Sequence, residues 1–399
     1  MDENNEFSNP LEGIKVLELS HIQAGPICSM MLADMGADVI KVEPFAGDRF
    51  RQLFGGANFL NFNRNKRAMA VNLKTPKGRK ICLELAKNAD VLVENYLPGA
   101  LHNLGLGYEH IKEINPKIIY CSISGYGQEG PFRLRPAFDP ILQAISGVME
   151  STGEPDRSPV RIRPALIDYC TGAIAAFAIA SALLRRGKTD CGERIDMALL
   201  DVALYSMSPY ITHYKKWGEL MPRTGSAHPA ACPNQNFETK DGFVCIAASS
   251  DPMWRSLCNA LGIEEVGNNP RYLTQQLRAK HRSEIADIIS RETKKYSSKE
   301  LEKKLLEAHI ACAMVRNISE IIEEPHVQAR GILEEFEHPV EGTIMTSMTP
   351  IVLSNNTSPM RRYVPTLGAD TREIMQEMGY GEQEIRDLID QKIVMQYEG

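Results

Sequence analysis

An α/β fold with two domains is what the sequence predicts, and three observations carry that expectation. The first is a strand, turn, helix, glycine, strand succession: G-I-K-V-L-E-L over 13–19, the loop S-H-I-Q-A-G-P, a helix from Ile27 to Met35, Gly36, then A-D-V-I-K-V-E. The second is a repeat of that succession from R-A-M-A-V to A-D-V-L-V-E-N-Y, with Thr75 as cap and Pro76 as first residue of the intervening helix. Successive units of this kind imply a parallel sheet with right-handed crossovers. The third is length, since 399 residues exceed what one hydrophobic core usually holds.

Composition narrows the function classes. With 43% hydrophobic and 24% charged residues, the chain reads as an ordinary soluble globular protein. A net charge of −6 gives no electrostatic case for nucleic acid or an anionic membrane. The nine cysteines are odd in number, scattered and free of C-x-x-C pairs, which argues against a disulfide framework and a zinc site and fits a reducing cytoplasm. The segment M-D-E-N-N-E-F-S-N-P has no apolar core of a signal peptide, so neither leader nor membrane anchor is expected. The first loop lacks G-x-G-x-x-G, which disfavours a dinucleotide.

Two clusters attract attention. Arg64, Lys66, Arg67 and Lys74 gather around one short strand, as a solvated sheet edge or as a phosphate-binding rim. Pro164 to Leu184 is small and apolar apart from Asp168, and reads from Tyr169 onward as a helix buried all round. Asp168 is then either a plain N-cap or an acidic nucleophile, held ionised by the helix dipole on a rigid element. Pro98-Gly99-Ala100 ends a strand at the carboxyl edge of the sheet, where open α/β folds bind ligands. His21, His102 and His228 read as polar loop residues.

Eight motifs in order, H-I-Q-A-G-P, G-A-D-V-I-K-V-E, R-N-K-R, V-E-N-Y-x-P-G, L-G-L-G-Y, the run from N-P-K-I-I-Y to Q-x-G-P, Q-A-I-S-G-V-M and Asp168 before its apolar helix, resemble the class III CoA-transferases of the formyl-CoA:oxalate and carnitine type. The resemblance spans nearly the whole chain. It implies a Rossmann-like large domain, a smaller α/β domain, and two identical chains threaded as interlocked rings. It implies CoA transfer from an acyl-CoA donor to a carboxylic acid, through an aspartyl anhydride and an aspartyl-CoA thioester on Asp168. Coenzyme A enters as substrate, with no permanently bound cofactor and no metal. Carried over residue by residue, the resemblance places Gln23, Ala24, Asn72, Lys74, Asn95, Tyr96 and Ala100 against CoA and Phe138 near the active site. Where many relatives carry Arg, this chain has Pro44 and Leu97, so Arg49, Arg64 or Arg67 are the expected replacements. Acyl-CoA racemases share the fold, but their proton-relay His precedes an Asp where this chain has Phe138 before Asp139. A CoA-binding subunit without turnover is the third reading.

The expected boundaries are 1–205 for the first part of the large domain, 206–330 for linker and small domain, and 331–399 for a return to the large domain ending in short surface helices. T-G-S-A-H-P-A-A-C-P-N-Q is a Gly/Pro-rich boundary and a candidate lid. Phe237 to Ser249 carries the D-G turn of a hairpin. The oxalate enzymes' tetraglycine run is absent from this region.

Overall fold

The computed structural model describes residues 9–354 and 360–397. Its larger element is a seven-stranded sheet. Strands β1 (Lys15–Leu19), β2 (Asp38–Glu43), β3 (Lys66–Val71), β4 (Val91–Glu94), β5 (Ile119–Ser124) and β6 (Glu193–Ala198) run parallel, with β12 (Val394–Met395) antiparallel at one edge. The order is β12-β3-β2-β1-β4-β5-β6. The chain therefore winds outward one way from β1 through β3 and the other way from β4 through β6, leaving a topological switch point between β1 and β4.

Both faces of the sheet are covered, and its strands β3, β4 and β5 are buried at every position, although β3 carries Lys66 and Arg67. Alternate side chains feed separate cores: Leu17, Leu92 and Tyr120 enter one, Val16, Val91, Val93, Ile119 and Cys121 the other. The first core is closed by the helices Pro76–Lys87, Thr371–Glu377 and Glu382–Asp390. The last two bury Ile374, Met375, Ile385 and Leu388, so the C-terminal helices are core-covering elements with one wet face rather than surface decorations. The second core is closed by the helices Ala24–Asp34, Leu166–Thr189 and Leu199–Ser206.

The helix Leu166–Thr189 departs from expectation in two ways. At 24 residues it is, by length and composition, long and apolar enough to cross a membrane, although no membrane anchor was expected. It is also not buried all round. Ile167, Ala175, Ala176 and Ile179 face the core, while Phe177 and Leu184 are 73% and 72% exposed in the single chain.

The chain divides into two compact units, one made of the chain up to Ser146, Arg163–Ser208 and the chain from His326 on, the other of Gly147–Ile162 and Pro209–Pro325. The expected boundaries miss residues 147–162, which belong to the second unit because Arg223 bonds the Glu150 carboxylate and the Glu154 and Arg157 carbonyls, and Gly225 N–H bonds the Gly153 carbonyl. Within that unit β7 (Asn234–Glu238), β8 (Phe243–Ala247) and β9 (Ala311–Met314) form an antiparallel sheet, with Asp241-Gly242 in the turn between the first two. Trp254, Leu257, Ile285, Leu301 and Leu305 pack on it. In the first unit the return segment forms a hairpin of β10 (Leu333–His338) and β11 (Gly342–Ser347).

Candidate functional site

A cavity of about 450 Å³ opens at the carboxyl ends of β1, β4 and β5, at the switch point of the sheet. Loops supply most of its wall: His21 to Ala24 after β1, Arg49 after β2, Asn95 to Pro98 with Ala100 after β4, and Ser124, Gly125, Arg133, Arg135 and Phe138 after β5. Asp168 and Leu199 complete it, and Asp168 is the single carboxylate among these lining residues. A second cavity is lined by Arg67, Arg361 and Arg362 together with Asp38, Glu373 and Glu377; its three guanidinium groups are matched by three carboxylates, and Arg67 is already engaged by Asp38 and Glu377.

The first loop is held from beneath by buried charge. Glu18, wholly buried near the end of β1, accepts from Lys41 Nζ and meets Lys66 Nζ, both at 2.8 Å, and accepts from the Ser20 and Ser29 hydroxyls. Burial alone would push its carboxyl up; the two lysines outweigh this and hold it at about 2. The same lysines donate to the Ser20 and Pro26 carbonyls, clamping the loop between them. Ile22 sits at φ 71°, strained for a β-branched residue, with its N–H donated to the Asp48 carboxylate. Asn95 closes the loop from the other side, accepting from His21 N–H at 2.9 Å and donating to its carbonyl at 2.7 Å. Burial lowers the His21 pKa, favouring its neutral imidazole.

Asp168 lies in the first turn of its helix, not at the cap. The helix starts at Leu166 and the cap position is Ala165, which has no side-chain oxygen. The orphan amides are met from outside, by buried Asp139, whose Oδ2 accepts from Ile167 N–H at 2.9 Å and Asp168 N–H at 3.4 Å. The dipole does not dominate Asp168 either. Burial and then the nearby Asp139 charge push its carboxyl up to about 7, although it is still partly open to solvent.

Of the expected CoA contacts, Gln23, Ala24, Asn95, Tyr96, Ala100 and Phe138 line this cavity with Asp168, and Asn72 and Lys74 do not. Those two follow β3, which β2 separates from β1, and the Asn72 side chain turns to Lys392 and to the Lys74 amide. Of the basic cluster only Lys74 is exposed to solvent; the other three residues are neither rim nor wet edge. Arg64 is buried against Asp34, Lys66 against Glu18, and Arg67 against Asp38 and Glu377. Arg49 alone of the three proposed replacements faces the cavity. Sequence reasoning missed His21, Arg133 and Arg135; the available signal was an Arg-x-Arg pair in the loop leaving β5 at the same carboxyl edge as Pro98-Gly99-Ala100.

The profile of CoA-transferase family III matches residues 11–371. The chain belongs to that family. Among its relatives is the human succinyl-CoA:glutarate CoA-transferase, 39% identical over 98% of this chain and 91% of the relative. The succinate–glutarate CoA-transferase of Agrobacterium fabrum is 38% identical over 92% and 96%. A crystal structure of a CAIB/BAIF family protein from Brucella suis superposes with a TM-score of 0.85 at 34% identity, covering 93% of this chain and 100% of the other. The protein is thus a family III CoA-transferase, an enzyme acting on CoA thioesters.

Proposed function

We propose that Asp168 is the covalent nucleophile of transfer between an acyl-CoA and a small dicarboxylic acid. The observation that carries this is its place as the one carboxylate among the lining residues of a cavity that also presents Arg49, Arg133 and Arg135. A carboxylate oxygen of Asp168 attacks the thioester carbonyl carbon, the C–S bond breaks, and a mixed anhydride forms with release of CoA thiolate. The thiolate attacks the Asp168 carbonyl carbon, displacing the donor acid and leaving an aspartyl-CoA thioester. The acceptor carboxylate attacks the aspartyl carbonyl carbon and expels CoA thiolate, forming a second mixed anhydride; the thiolate then attacks the acceptor's acyl carbon, and the new acyl-CoA departs with the Asp168 carboxylate regenerated. A carboxylate is a weak nucleophile, so alignment on a rigid helix has to supply much of the acceleration, roughly 7–11 kcal/mol in well-oriented systems.

Gln23, Ala24, Tyr96 and Ala100 form the CoA channel in this reading. Arg49 meets a phosphate, and Arg133 or Arg135 the acceptor's second carboxylate, since planar guanidinium groups bind such oxyanions in pairs of hydrogen bonds. The names of the human and Agrobacterium relatives support succinyl-CoA as donor and glutarate as acceptor. Phe138 in the cavity wall gives no second base for a proton relay. A homodimer is the second part of the proposal, supported by the exposed apolar face of Leu166–Thr189 and, in the other unit, by the helix Ser208–Trp217, which buries no residue and exposes Tyr210, Ile211, Tyr214 and Trp217.

The test is Asp168→Asn, assayed with succinyl-CoA against a panel of mono- and dicarboxylic acids. Transfer is expected to fall at least about a thousandfold. Hydroxylamine is expected to trap an acyl derivative at Asp168 of the native enzyme and none in the variant. Native-rate transfer by the Asn variant would end the reading, and activity confined to monocarboxylic acids would end the dicarboxylate part of it.

A further inference from the structure

We propose that Asp139 is the positioning residue of the active site, a second, buried carboxylate that fixes the backbone of Asp168 and stands beside it as a like charge. This rests on reading Asp168 as the nucleophile. Asp139 opens the helix Asp139–Ser146 directly after Phe138 of the cavity wall, and only 6% of it is exposed. Its two oxygens are divided. Oδ2 takes the Ile167 and Asp168 amides, while Oδ1 accepts from Gln143 Nε2 at 2.6 Å. The helix bearing the nucleophile has no cap of its own, so the place of Asp168 along its axis is set by a side chain from a different helix.

The arrangement also puts a second acidic side chain beside the nucleophile. The other charged or titratable groups facing the cavity are His21, Tyr96, Arg49, Arg133 and Arg135, all from loops at its wall. None of them is a carboxylate; Asp139, outside the lining but with its Oδ2 on the Asp168 amide, is the like charge that adds to burial in opposing ionisation of Asp168. A carboxylate kept basic in this way is a stronger nucleophile once ionised, and the cost is a later onset of activity as pH rises.

Charge and position can be separated by two substitutions. Asp139→Asn is nearly isosteric: its Oδ1 can still accept from Ile167 N–H, and the Gln143 amide can turn to accept from the new Nδ2. Asp139→Glu keeps the charge and moves the carboxylate by one methylene. In the full-length enzyme with succinyl-CoA and glutarate, the acid limb of kcat/KM is expected to shift by at least about half a pH unit toward acid in the Asn variant, roughly a threefold gain in relative rate on that limb. In the Glu variant the midpoint is expected to stay while kcat falls about tenfold across the profile. An unshifted midpoint in the Asn variant, or a native kcat in the Glu variant, would overturn the proposal. Should Asn fail to fold, the Glu arm still decides. If native enzyme gives no hydroxylamine-trapped derivative at Asp168, it is the nucleophile reading that fails; if it does and both variants behave as native, only the role of Asp139 fails.

Discussion

Glu18 shows how much of the site is built from residues that never touch substrate. Its carboxylate lies under the first loop between two buried lysines, and those lysines hold the loop's carbonyls. Glu18→Gln leaves buried Lys66 without its carboxylate partner and Lys41 with Asp48 alone, so a loss of roughly 3–5 kcal/mol in unfolding free energy is expected by denaturant titration. Asp168 carries a different stability signature. Its folded pKa of about 7 lies above the ordinary 3.8, so between these values the unfolded chain has released a proton that the folded chain retains. Stability from this residue therefore falls as pH rises through that window, and the deficit is complete above about 7. Asp168→Asn, which has nothing to ionise, is expected to gain on the native protein between pH 5 and pH 8 by about 1–2 kcal/mol, a figure reduced for partial solvent access. A constant difference across that range, read from parallel denaturation curves, would contradict the raised pKa.

At the level of elements, two helices bring the loop after β1 and Asp168, the proposed nucleophile, together. Ala24 begins one and Asp168 stands in the first turn of the other, and they cross at Gly172, where an added Cβ would lie 2.7 Å from Ile27 Cγ2 and 2.8 Å from the Ala24 carbonyl oxygen. The second of these is backbone and cannot yield without moving the loop. Gly172→Ala is therefore expected to cost about 1–3 kcal/mol and to raise KM for the acyl-CoA, because separating the helices also separates Asp168 from Ala24. A variant with native stability and native KM would show that the crossing has slack. This contact explains why a glycine interrupts an otherwise alanine- and isoleucine-rich helix, a feature that helix propensity alone would disfavour.

For the whole molecule, the proposed homodimer makes a direct prediction: sedimentation or light scattering should return twice the 44.5 kDa chain mass. A chain-mass species at working concentration would contradict it, and would leave the apolar face with Phe177 and Leu184 without a partner. The parallel sheet, its crossovers and the loops that line the cavity were legible in the chain, because strand and helix periods and glycine-marked turns are local signals. Asp168 was legible as the lone acid in an apolar run. What was not legible were pairings across distance. Arg64, Lys66 and Arg67 look alike in sequence as a basic patch, and only the approach of Asp34, Glu18 and Asp38 makes the first two buried ion pairs and the third a buried guanidinium on a half-exposed carboxylate. Likewise the N-terminal support of the helix bearing Asp168 comes from Asp139, 29 residues earlier, which no capping pattern near Asp168 could reveal. By itself, then, the sequence determined the strands, the helices and the acid on which chemistry would turn, since each depends on neighbours in the chain. The tertiary structure alone decided which charges are spent on one another and which face the cavity, because that balance is struck between residues that only folding brings within reach.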